Sequence, residues 1–140
     1  MQYNSLTKKV KKLFKIYVLG NPLMRQDSMP LKLLPKLRKS FNNIDFIELD
    51  PTENFPEGNL ILIDTLLNAN QVSIITDIDK IRTEKSYSLH DFDLGFTLKL
   101  MKKIGKVKDI KIIGIPALIQ EEEALKQLKK LIPSLLSRNE

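Results

Sequence analysis

The stretch "NLILIDT" (residues 59–65) decides the fold, because four consecutive aliphatic residues in it are followed directly by an aspartate. A short, unbroken apolar run is typical of a strand that is buried on both faces, as in the centre of a parallel sheet. The sequence therefore predicts a central strand here, with the carboxylate of Asp64 at its end.

Segments on either side of this strand alternate between strand-like and helix-like apolar spacing. The other predicted strands are 15–20, 44–50, 71–79 and 109–117. The predicted helices are 30–41, 91–105 and 120–136. This alternation predicts an α/β fold, a three-layer sandwich with a mostly parallel central sheet flanked by helices. A length of 140 residues without a linker or repeat predicts one domain over 1–140. Its first part, 1–14, is predicted to be a basic N-terminal arm.

Local signals refine the helix boundaries. Pro30 suits a first helical turn, whereas Pro35 is expected to delay or kink the first helix. Asp91 is a candidate N-cap of the second helix, and Gly105 suits its C-terminal end.

The composition excludes several kinds of chemistry. The chain has no cysteine, which rules out disulfides, thiolate metal sites and a cysteine nucleophile. It also lacks a phosphate-binding P-loop, a glycine-rich dinucleotide fingerprint and an HExxH zinc motif. No apolar run approaches the length of a membrane span and no signal peptide is evident, so we expect a cytoplasmic protein without a membrane partner.

The positive net charge is concentrated near the N-terminus. Of the 23 lysines and arginines, five lie at positions 8, 9, 11, 12 and 15, which leaves 18 against 17 acidic residues. Such an arm either binds polyanions or forms a solvated extension. Because the rest of the chain is nearly neutral, we expect no nucleic-acid binding. We also expect a monomer.

Three polar residues follow strands of the predicted sheet. Asp27 lies in the loop after the first strand, Asp64 ends the central strand, and His90, the only histidine, precedes the second helix. Because the carboxyl ends of parallel strands meet at one edge, these residues are predicted to share that edge. Two carboxylates and an imidazole suit a divalent ion such as nickel or zinc. Simpler roles stay open: Asp27 with Ser28 as a helix cap, Asp64 as a turn residue, and His90 as a surface residue.

Four segments resemble the nickel–iron hydrogenase maturation endopeptidase family, in order and at suitable distances. They are "VLGNPLMRQDSMP" (18–30), "LILIDT" (60–65), "SLHDFDLGFTLKL" (88–100) and "IKIIGIPA" (110–117). Together they cover about residues 15 to 135.

The resemblance implies an endopeptidase that removes the C-terminal extension of a hydrogenase large subunit after nickel insertion. It implies that Asp27, Asp64 and His90 contact nickel carried by the substrate and are the catalytic residues. The implied partner is the large-subunit precursor, and no tightly bound cofactor of its own is expected. Asp91 is a candidate partner for the second ring nitrogen of His90.

The chain departs from the family pattern at four positions. Val18 replaces the first glycine, Gln26 replaces the first member of an acidic pair, and Ser28 and Pro30 stand where glycines are usual. Asp27 keeps the metal-contacting position.

Two other functions fit parts of the sequence. A docking chaperone would use the same three residues to hold a nickel-bearing partner without cutting it. "LGNP" (19–22) also resembles peptidyl-tRNA hydrolase, although that enzyme has a histidine soon after this motif, and this chain does not.

Overall fold

Five strands form one sheet in the computed structural model, which describes residues 14–21, 23, 27–50, 53–78 and 91–137, the side chains of 91–93 and 137 aside. The strands are β1 (Phe14–Val18), β2 (Ile44–Glu48), β3 (Gly58–Leu66), β4 (Ser73–Ile75) and β5 (Val107–Pro116). The helices are α1 (Met29–Ser40), α2 (Asp91–Lys103) and α3 (Glu121–Ser137). Residues 1–13 of the predicted basic arm lie outside the described residues.

The strand order is β2-β1-β3-β5-β4. Four of these strands run parallel, whereas β4 pairs antiparallel with β5 at one edge of the sheet. The mostly parallel α/β fold predicted from the sequence is therefore confirmed. The prediction of a strand over 71–79 was too long, since only Ser73–Ile75 pair with β5 and all three are half-buried. Edge strands are commonly kept this short because an exposed ladder invites pairing with other chains.

Two helices cover one face of the sheet and one helix covers the other. The α1 and α3 face holds a core cluster with Leu33, Leu34 and Leu37 of α1 and Ala124, Leu128, Ile132, Leu135 and Leu136 of α3. Leu94 and Leu98 of α2 belong to a second cluster on the opposite face. At the surface, Lys36 Nζ lies 2.7 Å from Glu121 Oε2, which links α1 to α3 and raises the pKa of Lys36 through this hydrogen bond and charge pair.

Strand β3 lies at the centre, as its apolar run predicts. Leu60 and Leu62 pack toward α2, and the alternate residues Ile61 and Ile63 pack toward α1 and α3. Each such burial stabilises the fold by roughly 1.5–3 kcal/mol relative to an exposed side chain. Continuous apolarity is thus required because both faces of β3 are covered.

The helix boundaries correct two details. Pro35 does not delay α1, which already begins at Met29; it lies inside the helix at an exposed position, and Pro30 occupies the first turn as predicted. Asp91 is part of the helix α2 rather than its N-cap. Gly105 follows α2 with a φ of 83°, a left-handed conformation that favours glycine. None of the helices in the described part of the chain is both long and apolar enough to cross a lipid bilayer.

A glycine in β5 makes room for a neighbouring strand's side chain. A Cβ atom added to Gly114 would lie 2.5 Å from both Cγ and Cδ1 of Leu66. Gly114 pairs with Asp64, and Leu66 lies two residues further along β3 on the same face. The absence of a side chain at Gly114 therefore lets Leu66 close the core beside Asp64.

We expect Gly114→Ala to lower the free energy of unfolding by about 1–3 kcal/mol, because the added methyl overpacks against Leu66. Leu66→Ala alone should cost about 2–5 kcal/mol through the cavity that it leaves. Chemical denaturation of both single variants and the double variant tests the contact. The truncated side chain leaves room for the methyl. The double variant should therefore lose less unfolding free energy than the two single variants combined, by at least about 1 kcal/mol. Strict additivity would contradict this packing.

Candidate functional site

The strand order reverses between β1 and β3, and a crevice is expected at such a point of an open α/β sheet. The chain passes from β1 through α1 to β2 on one side of β1, whereas β3 lies on the other side of β1. Helices that follow the two strands therefore lie on opposite faces of the sheet, α1 on one and α2 on the other. In open α/β sheets, ligands bind at such a reversal of strand order, outside the carboxyl ends of the strands.

The crevice opens because β1 ends before β3 does. The pairing of β1 with β3 stops at Val18 and Ile63. One more backbone hydrogen bond follows, in which Leu19 N–H donates to the carbonyl oxygen of Ile63 at 2.8 Å. The chain then leaves the sheet at Gly20, while β3 continues to Leu66 beside β5.

Backbone contacts hold Asp27 close to this point. The backbone N–H of Asn21 donates to the carbonyl oxygen of Asp27 at 2.8 Å. A Cβ atom added to Gly20 would lie 3.0 Å from that same oxygen and 3.1 Å from Cγ of Leu31, so the loop passes very near the glycine. Asp27 itself is only 2% exposed. The sequence left open a capping role for Asp27 and Ser28, but Ser28, at the N-cap of α1, makes no capping hydrogen bond with its side chain.

Asp64 lies inside β3 rather than at its end, since Thr65 and Leu66 continue the pairing with β5. This corrects the sequence-based prediction that Asp64 ends the strand. Its Oδ1 accepts a 2.8 Å hydrogen bond from the backbone N–H of Thr65, and the residue is 1% exposed. Alternate residues of a strand direct their backbone groups to the same neighbouring strand. Since the Ile63 carbonyl faces the β1 side, the Thr65 N–H faces that side too, where β1 has already left the sheet. The carboxylate thus replaces a missing strand partner.

Two backbone hydrogen bonds connect the segments that carry the carboxylates. Ile63, next to Asp64, is bonded to Leu19, and two residues later Asn21 is bonded to Asp27. Asp27 also lies just before the N-terminus of α1, where the helix dipole favours negative charge. The segments that carry these two buried residues, Asp27 and Asp64, therefore lie on either side of the point where β1 leaves the sheet. That their carboxylates share one site stays a prediction.

His90, the third predicted site residue, lies outside the described residues, as does the side chain of Asp91. The backbone of Asp91 begins α2, and the turn at Gly105 leads from the other end of α2 into β5. Helix α2 leads to the start of β5, which runs parallel to β3. The N-terminal end of α2 therefore lies toward the carboxyl edge of the sheet. Among the described residues, no three metal-ligating side chains form a group. The complete set of three ligands stays a prediction.

The departures from the family pattern fit this fold. Val18 is fully buried in β1, Ser28 is buried before α1, and Pro30 lies in the first turn of α1. Gln26 lies outside the described residues. Sequence reasoning missed Thr65 and Gly114 as neighbours of the site. A glycine inside an apolar strand does indicate a close approach, but only the register shows that Gly114 faces Asp64.

Solved structures of hydrogenase maturation proteins share this fold. The hydrogenase maturating endopeptidase HybD from E. coli superposes with a TM-score of 0.67 and 15% identity over 89% of this chain and 93% of that one. An Escherichia coli endopeptidase gives a TM-score of 0.55 and 15% identity over 89% and 88% of the two chains. The hydrogenase 3 maturation protease gives 0.58 and 18% over 84% and 86%.

No protein-family model matches the sequence, and no curated protein is significantly similar to it. At these identities the similarity establishes the fold that the sequence resemblance implied. The chain therefore has the α/β fold of the hydrogenase maturation endopeptidases.

We expect Gly20→Ala to displace the loop that carries Asp27, because the new methyl would press on the Asp27 carbonyl oxygen. The hydrogen bond from Asn21 N–H to that oxygen should weaken, so hydrogen exchange at the Asn21 amide should accelerate by about tenfold or more. The Leu19 amide, bonded to Ile63 within the sheet, serves as an internal reference. Equal protection of Asn21 in the variant and the wild type would contradict the close contact.

Proposed function

We propose that this chain is an endopeptidase that removes a C-terminal extension from a nickel–iron hydrogenase large subunit once nickel is in place. The observation that carries the proposal is the crevice between β1 and β3. Two buried carboxylate residues, Asp27 and Asp64, lie on the segments beside it, and the fold is shared with solved structures of hydrogenase maturation endopeptidases; both support the proposal. His90 supplies the third contact in this proposal, on the strength of the sequence resemblance.

The nickel belongs to the substrate, and the three side chains recognise a loaded precursor by binding this nickel. Carboxylate oxygens and an imidazole nitrogen are suitable ligands for open positions on a divalent nickel ion. A precursor without nickel offers no such positions, so the metal itself creates the difference in affinity between finished and unfinished precursors. Because Asp27 and Asp64 are buried, their attraction to a cation is less screened than at the surface.

Hydrolysis then requires a water molecule to attack the scissile carbonyl carbon. The water oxygen forms the new C–O bond, the C–N bond breaks, and a proton passes to the leaving amine. A divalent ion assists by polarising the carbonyl or by acidifying the water. A carboxylate at the same site can accept the proton that the water releases. The proposal needs no serine or cysteine nucleophile, in keeping with a chain that has no cysteine.

The decisive test is a cleavage assay read by intact mass. The purified chain is incubated with the nickel-loaded and the nickel-free forms of a large-subunit precursor. We expect loss of the C-terminal extension from the loaded form alone. Asp27→Asn, Asp64→Asn and His90→Ala should each lower the cleavage rate by more than about 100-fold, because even residues that only support metal ligands typically account for 10- to 100-fold.

Asp109→Asn is the matched control, since Asp109 is an exposed aspartate at the opposite end of the central strands. It should cleave at the wild-type rate. A stable complex with the loaded precursor and no mass change would reject the protease in favour of a docking chaperone. Equal cleavage of both precursor forms would reject nickel recognition.

A further inference from the structure

Helix α2 is apolar on two sides, of which the fold uses one. Leu94 and Leu98 are buried against the sheet. Phe96 and Leu100 of α2 and Ile104, directly after its last residue, are spaced by four residues and are 60%, 47% and 56% exposed. The backbone N–H of Ile104 still donates to the Leu100 carbonyl oxygen, so the helical spacing extends to it. Residues at this spacing lie along one side of a helix, here the side away from the sheet. We call these three residues the α2 stripe.

A row of lysines borders the α2 stripe on one flank only. Lys99, Lys102 and Lys103 line one side of a groove of about 460 Å³, and the segment 76–78 after β4, which contains the single acidic residue Asp77, lines the other. Since successive residues are turned by about 100° around a helix, these lysines fall between the α2 stripe and the groove. Among the residues whose side chains the structure describes, the opposite flank carries Thr97 and Met101, which are uncharged. We call the three lysines the lysine row.

We propose that the α2 stripe and the lysine row together bind an apolar and acidic segment of a protein partner, which, if the proposed function holds, is the hydrogenase precursor. An aligned apolar surface of this kind is more than the isolated exposed side chains found on most proteins. Charge complementarity defines the other half of the ligand, because acidic side chains on one flank of the segment would face the lysine row.

The same charges argue against a second copy of the chain. Two copies meeting through the α2 stripe with their helices antiparallel would bring both lysine rows to the same side of the interface, where like charges repel. The lysine-rich segment 8–15 carries the same sign and is a poor occupant for the same reason.

A membrane surface is also disfavoured. Helices that lie in a membrane interface bury a broad apolar face in the lipid. In α2 the face that contains Leu94 and Leu98 is already buried in the core, which leaves only the narrow stripe. Lysines on one flank only match a segment with one acidic side better than a planar anionic surface.

The position of α2 links this surface to the site. The helix begins at Asp91, directly after His90, and the α2 stripe spans about 12 Å along it. A segment bound there would hold the precursor beside the crevice without touching the bond that is cut. Such binding is the same in the ground state and the transition state, so it acts on affinity rather than on the chemical step.

The test compares two charge reversals of equal size. One variant carries Lys99→Glu, Lys102→Glu and Lys103→Glu; the control carries Lys126→Glu, Lys129→Glu and Lys130→Glu on the exposed side of α3. A third variant carries Phe96→Ser, Leu100→Ser and Ile104→Ser. Dissociation constants for nickel-loaded precursor are measured with Asp64→Asn added to each chain, and kcat and KM are measured without it.

We expect the α2 lysine variant and the serine variant each to bind at least about tenfold more weakly than the wild type. Their KM should rise while kcat stays within about twofold, and the α3 control should match the wild type. Added salt should reduce the difference in dissociation constant between the α2 lysine variant and its control.

Several results would overturn the docking surface. If the wild type cuts the precursor while the α2 variants bind it as tightly as the control, the docking surface is rejected and the proposed function stands. If the wild type neither binds nor cuts, both are rejected. Binding to vesicles of phosphatidylserine and phosphatidylcholine that is lost in the α2 variants would assign the surface to lipid. Dimerisation that is lost in them would assign it to a second copy.

Discussion

The hydrogen bond from Leu19 N–H to the Ile63 carbonyl oxygen is the last backbone link between β1 and β3, and the site depends on it. It fixes where the two strands separate. Beyond it, β3 continues alone on that side, so its Thr65 N–H is left to the Asp64 carboxylate. The departing chain turns at Gly20 and returns with Asp27. One parallel ladder that ends early therefore sets where β1 leaves the sheet, and the segments that carry Asp27 and Asp64 are bonded on either side of that point.

The strands and helices of this arrangement can be predicted from the sequence wherever buried residues recur at regular spacing. The unbroken run before Asp64 indicates a strand covered on both faces, and the parallel topology then brings the loop with Asp27 to the same edge. The antiparallel direction of β4 could not be predicted in this way, because a short, half-buried edge strand has no distinctive pattern. The contact of Gly114 with Leu66 depends on register, which apolar spacing alone does not determine.

The same limit of apolar spacing applies to helix α2. Its sequence carries apolar residues on several sides, so spacing alone cannot distinguish the residues that enter the core from those that stay outside. Packing on the sheet assigns Leu94 and Leu98 to the core and leaves the α2 stripe exposed. In the proposed function, α2 starts at the third metal contact and presents a surface for the same precursor. The chemistry and the docking of the substrate would then be positioned by one rigid element.

A divalent-ion titration followed by NMR tests whether Asp27, Asp64 and His90 form one site. Cadmium serves as a diamagnetic substitute for the nickel of the substrate. We expect the amides of Asp27 and Thr65 and the imidazole of His90 to shift together with one dissociation constant. The amide shifts should be lost in His90→Ala. Shifts of His90 with a different dissociation constant from the carboxylate segments, or at His90 alone, would contradict a shared site.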